Sequence, residues 1–406
     1  MKVAVIGAGA SGLMAAYACA LNGNEVTVFE RNEKCGKKIY ITGKGRCNLT
    51  NAVPPQEFLS NVVNNSKFLT GAIHSFSPDD TISLFDNLGL SLKIERGNRV
   101  FPVSDHASDV TKCLENACKN LGVEFKFNCK VDKISVLNST VSDIIVNNNR
   151  YYFDKVLVCT GGTSYPATGS TGDGYDFARS VGHTVVPLKP ALCGLNLKGG
   201  FYSDLQGLSL KNVSLTVLYG EEKVKKFFGE MLFTHFGVSG PIVLTASSFI
   251  NRFDLNKVTL LLDLKPALSA EQLDERILRD FASSPNKSIS AVLKLLLPSS
   301  LIMTVLDRCS IDGTKRVNSI TKAERATLIK IVKGFEMRVE SLRPFEEAII
   351  TSGGISVNEI NPKTMESKLV HGLYFCGELL DVDALTGGFN LQIAFATGYA
   401  AGSSIF

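Results

Sequence analysis

The chain has 406 residues, 45% of them hydrophobic, with 43 Lys and Arg against 39 Asp and Glu for a net charge of +4. That length supports a generous core and more than one small domain, and the mild charge, with no basic stripe interleaved with aromatics, argues against a nucleic-acid partner. The pattern also leads us to expect no membrane span, signal peptide, disulfide framework or metal centre. No apolar run reaches about eighteen residues, the N-terminus lacks a basic flank, the ten cysteines contain no CxxC and the five histidines no metal spacing. A cytoplasmic protein acting on a small molecule is expected, with its oligomeric state left open.

Val3 to Ile6 reads as a short buried strand, followed at once by Gly7-Ala8-Gly9-Ala10-Ser11-Gly12. Gly7 permits a tight turn, Gly9 lets the backbone approach a pyrophosphate, and Gly12 lets the next helix pack closely on the strand. A helix over 10–21 then points its N-terminal N–H groups at the phosphates. The strand Glu25-Val-Thr-Val-Phe-Glu30 ends on an acid eighteen residues after Gly12, where a carboxylate accepts a ribose 2′-hydroxyl. Strand, turn, helix, strand and acid in that order identify an adenine-dinucleotide site, and the acid favours FAD or NAD over NADP.

Next comes a polar, glycine-rich loop from Gly36 to Asn48 with four cationic side chains. Residues 54–88 read as largely helical, with a helix start at Ser77-Pro-Asp-Asp, and 90–103 as a pair of short strands. An amphipathic helix is expected over 105–121. Period-two alternation then marks 131–136 and 141–146 as a hairpin or meander. The buried strand 154–159 returns to a glycine turn at Gly161-Gly162. Strands of a different sheet follow from about residue 187, then helices over 266–333 with starts at Ser269, Ser288 and Thr321. Buried-strand character returns at Ala348-Ile-Ile-Thr-Ser-Gly353-Gly354.

This order predicts an α/β protein with a discontinuous FAD-binding domain, 1–188 and 346–406, and an inserted substrate domain, 189–345. The insert is expected to be β-barrel-like over 189–265 and helical over 266–333. The last segment carries a strand into Gly377-Glu378 and a Gly387-Gly388 turn opening a closing helix. FAD, unlike NAD, is long enough to need its ribityl chain and ring held by such a distant part of the chain. Neither Gly161-Gly162 nor Gly353-Gly354 has the strand-turn-helix spacing of a second dinucleotide site, so NADH or NADPH could only visit as a transient donor.

Taken together, the Gly7 to Gly12 turn, the Gly-Arg-Cys-Asn loop, 160–174, Leu232-Phe-Thr-His-Phe-Gly-Val-Ser-Gly-Pro241 and 348–402 resemble a bacterial flavoprotein family. It has the glutathione-reductase-like Rossmann fold, is labelled an NAD(P)/FAD-dependent oxidoreductase or aminoacetone-oxidase family, and includes a reductase of dehydro bile acids. The resemblance implies that Gly9, Ala10 and Ser11 meet the pyrophosphate and that Glu30 and Arg31 meet the adenosine ribose. It places Lys38, Thr42, Gly43, Cys47 and Asn48 at the flavin end, and the backbone of Val131 at adenine. Gly162 belongs to the turn beside the cofactor. Gly377, Glu378 and Asp381 would hold the ribityl chain and pyrophosphate. Gly388, Asn390 and Leu391 would set a helix N-terminus against the flavin pyrimidine edge, where reduction builds negative charge.

The resemblance further implies reduction of a double bond conjugated to a ketone on an apolar, steroid-like molecule. The alternatives are an oxidase of a small amine or aminoketone and a flavin-binding RNA-modifying protein. His235 is the candidate proton donor, although a structural hydrogen-bonding role is the favoured reading of it. Cys47 has no partner cysteine at disulfide spacing, which favours packing over redox chemistry.

Overall fold

The computed structural model describes all 406 residues. They form two compact units, Met1–Ala191 with Phe345–Phe406, and Leu192–Pro344. The first is built on a five-stranded parallel sheet in the order Leu373–Phe375, Lys155–Val158, Lys2–Ile6, Glu25–Phe29, Glu124–Lys126. Its inner strands are buried on both faces and read as continuous apolar runs, whereas the edge strand Glu124–Lys126 is exposed or half-buried. A three-stranded antiparallel sheet (Val131–Leu137, Thr140–Val146, Asn149–Tyr152) and a two-stranded one (Val185–Ala191 with Ile350–Ile355) complete the unit's main strands.

The opening helix, Ala10–Leu21, and the closing helix, Phe389–Ser403, pack directly on one another. A side chain at Gly398 would collide with the Ser11 carbonyl, and one at Gly402 with that of Ala15. Small residues at this spacing let two backbones meet, so the contact ties the first twenty residues to the last twenty. On its other faces the closing helix stacks Tyr399 on Phe76 and sets Phe395 against Phe85 and Phe389 against Phe58.

The 54–88 stretch is largely helical, as expected, in the segments Pro55–Ser60, Ser66–Leu69, Thr70–Ser75 and Pro78–Asn87, the last capped by Ser77. The short strand Val62–Asn64 interrupts them and pairs with Asp383–Ala384. Within the Gly36–Asn48 loop, Lys37–Ile41 winds into a short helix where only a loop was expected.

The second unit is a closed antiparallel barrel of six strands. Its order is Leu195–Leu197, Gly237–Ser239, Glu222–Thr234, Ser209–Tyr219, Val258–Asp263 and Phe335–Leu342. The barrel therefore does not end near residue 265, because closure requires the strand that follows the helices. Ser269 with Gln272, and Thr321 with Glu324, form reciprocal capping boxes that start Ala270–Ala282 and Lys322–Lys333. No helix in the chain is long and apolar enough to cross a membrane.

A buried cluster pins the loop before the last parallel strand. The His183 imidazole lies 3.0 Å from Glu359 and 2.7 Å from the Ser367 hydroxyl. That hydroxyl also accepts the N–H groups of Leu369 and Val370. A Ser-His-Glu order invites comparison with a hydrolase, but Ser367 is 5% exposed and committed to its own loop, so the cluster is a clasp.

Burial holds the His183 imidazole below its ordinary value although Glu359 pulls the other way. A depressed histidine stabilises the fold above its unfolded value, and that contribution fades as pH falls through the interval below it. His183→Asn should therefore flatten the loss of stability between about pH 7 and 5, by up to about 1.4 kcal/mol per pH unit in urea titrations. Gly398→Ala should lower stability by about 1–3 kcal/mol through overpacking, read as a fall in the thermal midpoint.

Candidate cofactor and active site

Four parallel strands deliver their last residues to one rim. Lys2–Ile6 runs into Gly7, Glu25–Phe29 into Glu30, Lys155–Val158 into 159–162, and Leu373–Phe375 into 376–378. Open parallel sheets bind ligands at this edge, where loops and helix N-termini converge. Gly7 has φ +100°, a Cβ at Gly12 would strike the Gly7 carbonyl, and a Cβ at Gly9 would meet nothing within 4 Å. The turn is thus tight on its inner side and open at Gly9. The helix beginning at Ala10 has neither a side-chain cap nor an acid in its first turn, which suits it to an anion.

Glu30 is buried and reaches back over this turn. Its carboxylate accepts the Ala8 N–H at 2.8 Å, and the Asn32 backbone and side-chain N–H groups at 2.8 and 2.7 Å. A carboxylate has about four lone-pair sites, so capacity remains for a ribose hydroxyl. Val131 starts the neighbouring sheet close by, where the Cys129 N–H donates to the Glu30 carbonyl. Arg31 pairs with Asp173 at 2.7 Å and bonds Thr171, fastening the 169–173 loop beside Glu30.

The distant segments meet here. A Cβ at Gly377 would lie 2.8 Å from the Ser11 hydroxyl, and the Gly377 N–H donates to Thr397 on the closing helix. Lys38 Nζ donates at 2.6 Å to both Glu378 and the Ser164 hydroxyl. The other oxygen of Glu378 accepts the Thr351 N–H at 2.8 Å and the Ser164 hydroxyl at 2.9 Å. Gly162 leaves room for this network, since a Cβ there would sit 2.8 Å from Glu378 Oε1. Asp381 accepts from Asn65.

A second cluster gathers around the start of the closing helix. Gly388, with φ +99°, is its N-cap, again without a side-chain cap or an acid in the first turn. Asn390 binds the backbone of Ala384 and Leu385, and Leu391 is partly buried beside it. Asn51 donates to the Gly387 carbonyl at 2.9 Å. Buried Gln392 accepts the hydroxyls of Thr50 and Thr81 at 2.7 and 2.8 Å and donates to the Phe76 carbonyl.

The loop that supplies Thr42, Gly43, Cys47 and Asn48 leads directly into Thr50. Its backbone is left-handed at Gly43, Lys44, Gly45 and Cys47, a strain of about 1–2 kcal/mol at each non-glycine position. Arg46 holds it, bonding Asp105 at 2.8 Å and Glu95 at 2.5 Å with its guanidinium 4.2 Å from the Phe101 ring. Asn48 accepts the Val100 N–H and Thr42 donates to the Ile39 carbonyl. Cys47 is fully buried, and burial pushes its thiol up to about 12. It remains a protonated packing residue at neutral pH.

All of these residues belong to the first unit, and they fit an extended dinucleotide: an open turn, a buried acid, two uncapped helix N-termini, and a buried Thr160 hydroxyl with no protein partner. His235 is placed in the second unit, exposed on the turn between two barrel strands with its ring against Phe236. Ser164, Thr351 and Gln392 escaped the sequence reading. Their only local signal was a polar residue inside a buried stretch. A double-mutant cycle of Lys38→Met and Glu378→Gln should give a coupling of about 1–3 kcal/mol in urea unfolding, as for a partly buried ion pair, with weakened flavin retention on gel filtration.

The profile of the family described as "HI0933-like protein Rossmann domain" matches residues 1–404. The chain is 32% identical to a 3-dehydro-bile acid delta(4,6)-reductase of Clostridium scindens, covering 99% of this chain and 98% of that protein. It is 31% identical to a ribosomal RNA dihydrouridine synthase of Haemophilus influenzae, covering 99% and 97%. Its fold is similar to that of a 3-ketosteroid-delta4-(5alpha)-dehydrogenase of Rhodococcus jostii RHA1, with TM-score 0.55, 14% identity and 100% and 96% coverage. An Escherichia coli quinol fumarate reductase subunit gives TM-score 0.53, 15% identity and 100% and 70% coverage. With an RNA-modifying relative spanning the whole chain, a mild net charge is no ground for excluding nucleic acid. The chain belongs to the HI0933-like Rossmann family and is an FAD-dependent oxidoreductase.

Proposed function

We propose that the protein saturates a carbon–carbon double bond conjugated to a carbonyl, with NADH or NADPH as a transient electron donor. The observation that carries this reading is chemical. Two relatives of near-equal identity bear names with unrelated substrates, a bile acid and ribosomal RNA, yet both names describe the same change of bond. A dienone steroid and a uracil each accept hydride at the carbon β to the carbonyl and a proton at the α carbon. NAD(P)H and one proton supply both atoms and leave NAD(P)⁺.

FAD, when bound, supplies a hydride donor and acceptor at its N5. This chain's residues do the rest. The turn from Gly7 to Gly12 and the first helix hold a pyrophosphate, and Glu30 takes a ribose hydroxyl. Lys38, Glu378, Ser164 and Thr351 hold a fixed polar wall. The acid-free helix N-terminus at Gly388 stabilises negative charge that develops beside it. Gly353 and Gly354 lie inside the strand Ile350–Ile355 rather than at a strand-to-helix turn, consistent with a donor that visits and leaves. His235, an exposed imidazole, is the proton donor in this scheme.

Anaerobic spectroscopy of the yellow protein tests the scheme. NADH or NADPH should bleach the flavin, and either a 3-keto-4-ene steroid or uridine-containing ribosomal RNA should restore its colour. His235→Asn should slow that restoration by about 10²-fold or more while leaving the bleaching rate unchanged. Bleaching by a small amine alone, with peroxide formed in air, would replace the reductase with an oxidase.

A further inference from the structure

Charge is unevenly divided between the two units. Leu192–Pro344 carries 21 Lys and Arg against 15 Asp and Glu, while the remainder carries 22 against 24. The mild total of +4 thus conceals +6 on the barrel unit. Within that unit, Lys223-Val-Lys225-Lys226-Phe227-Phe228 runs along one arm of the long hairpin Ser209–Tyr219 and Glu222–Thr234. Three lysines there are interleaved with aromatics, a pattern not expected from the sequence, with Glu221, Glu222 and Glu230 at the ends of the segment.

We infer that this lysine-and-phenylalanine strand is the surface on which the protein receives RNA, an inference that rests on the proposed reduction of a uracil-type double bond. The strand pairs with a second neighbour only from Leu232 to Thr234, so its Lys223–Phe228 stretch has no second strand beside it, although the helix Pro241–Ile250 packs on this strand. The register sets Lys226 opposite Thr216 and Phe228 opposite Ser214 on one face, and Lys225 opposite Val217 and Phe227 opposite Leu215 on the other. Phe228 is 66% exposed. On the second face the Lys225 ammonium lies 4.1 Å from the Phe249 ring, which sits 5.6 Å from Phe227.

Lysines alone on a strand edge would serve to discourage edge-to-edge pairing. An exposed phenyl ring among them works against that purpose. Cations beside flat aromatic rings match the two parts of a nucleotide, since ammonium groups neutralise phosphates and rings stack on bases. An apolar polycyclic ketone would use neither the charges nor their alternation.

Anisotropy of a fluorescein-labelled oligouridylate, titrated with the full-length FAD-loaded protein at low salt, reads this surface without turnover. Three phosphates neutralised by Lys223, Lys225 and Lys226 should contribute about −2 to the slope of log affinity against log salt. The triple Lys→Gln variant should bind at least about tenfold more weakly and lose that part of the slope. Phe228→Ala should bind several-fold more weakly with the slope unchanged, because stacking releases no counterions. Flavin content and bleaching by NADH should match the parent in both variants.

A wild-type protein that ignores the RNA, or variants that bind it equally well, would overturn the inference. So would retention by phosphatidylserine vesicles in preference to RNA. Loss of binding in the variants, alongside a flavin that no conjugated double bond reoxidises, would sink the proposed reaction and leave the docking surface standing.

Discussion

The closing helix rests on the opening helix at Gly398 and Gly402 with no side chain between the backbones, and the rest of the cofactor rim depends on that contact. It fixes where Gly388 begins the last helix relative to where Gly9 begins the first. Two helix N-termini from opposite ends of the chain are thereby held in one unit, each free of acids in its first turn. Gly377 extends the same contact by lying against the Ser11 hydroxyl. A larger residue at any of these places would push the opening nucleotide turn and the closing helix apart.

Around that fixed frame the polar groups are arranged in pairs that leave little charge uncompensated. Lys38 is neutralised by Glu378 and Arg31 by Asp173, and Arg46 is shared between Glu95 and Asp105. The Arg46 cluster has a mechanical task, because it holds a loop whose backbone is left-handed at Lys44 and Cys47. Gln392 does similar work without charge, spending its side-chain oxygen and amide on three separate segments. Cys47, which in a flavin loop invites a redox role, is instead a buried thiol held protonated by its surroundings.

The second unit obeys other rules. Its barrel is closed by a strand that follows the helices, so the helical stretch is an excursion within the barrel rather than a separate piece. That closure leaves one arm of the long hairpin without a second neighbouring strand, and there Lys223, Lys225 and Lys226 stand next to the exposed Phe228. The division of charge between the units gives physical sense to a relative that modifies ribosomal RNA alongside one that reduces a bile acid. The bond changed is common to both; the surface that delivers it need not be.

The sequence by itself determined the nucleotide turn, the acid at Glu30 and the capping boxes at Ser269 and Thr321, because each is encoded within a few consecutive residues. It also supplied reason to expect the two end segments to meet, from the length of FAD, and they do pack together. Only the tertiary structure decided that Lys38 faces Glu378 and Ser164, that Arg31 turns to Asp173, that His235 stands exposed on a barrel turn, and that Gln392 joins Thr50, Thr81 and Phe76. Those partners lie 126 to 342 positions apart, and no local periodicity records which distant backbone a side chain will meet once the sheet and helices have packed. The same holds for the lysine edge: six residues of sequence show the lysines and the rings, but only the fold shows that Phe228 is exposed while Phe227 lies against Phe249.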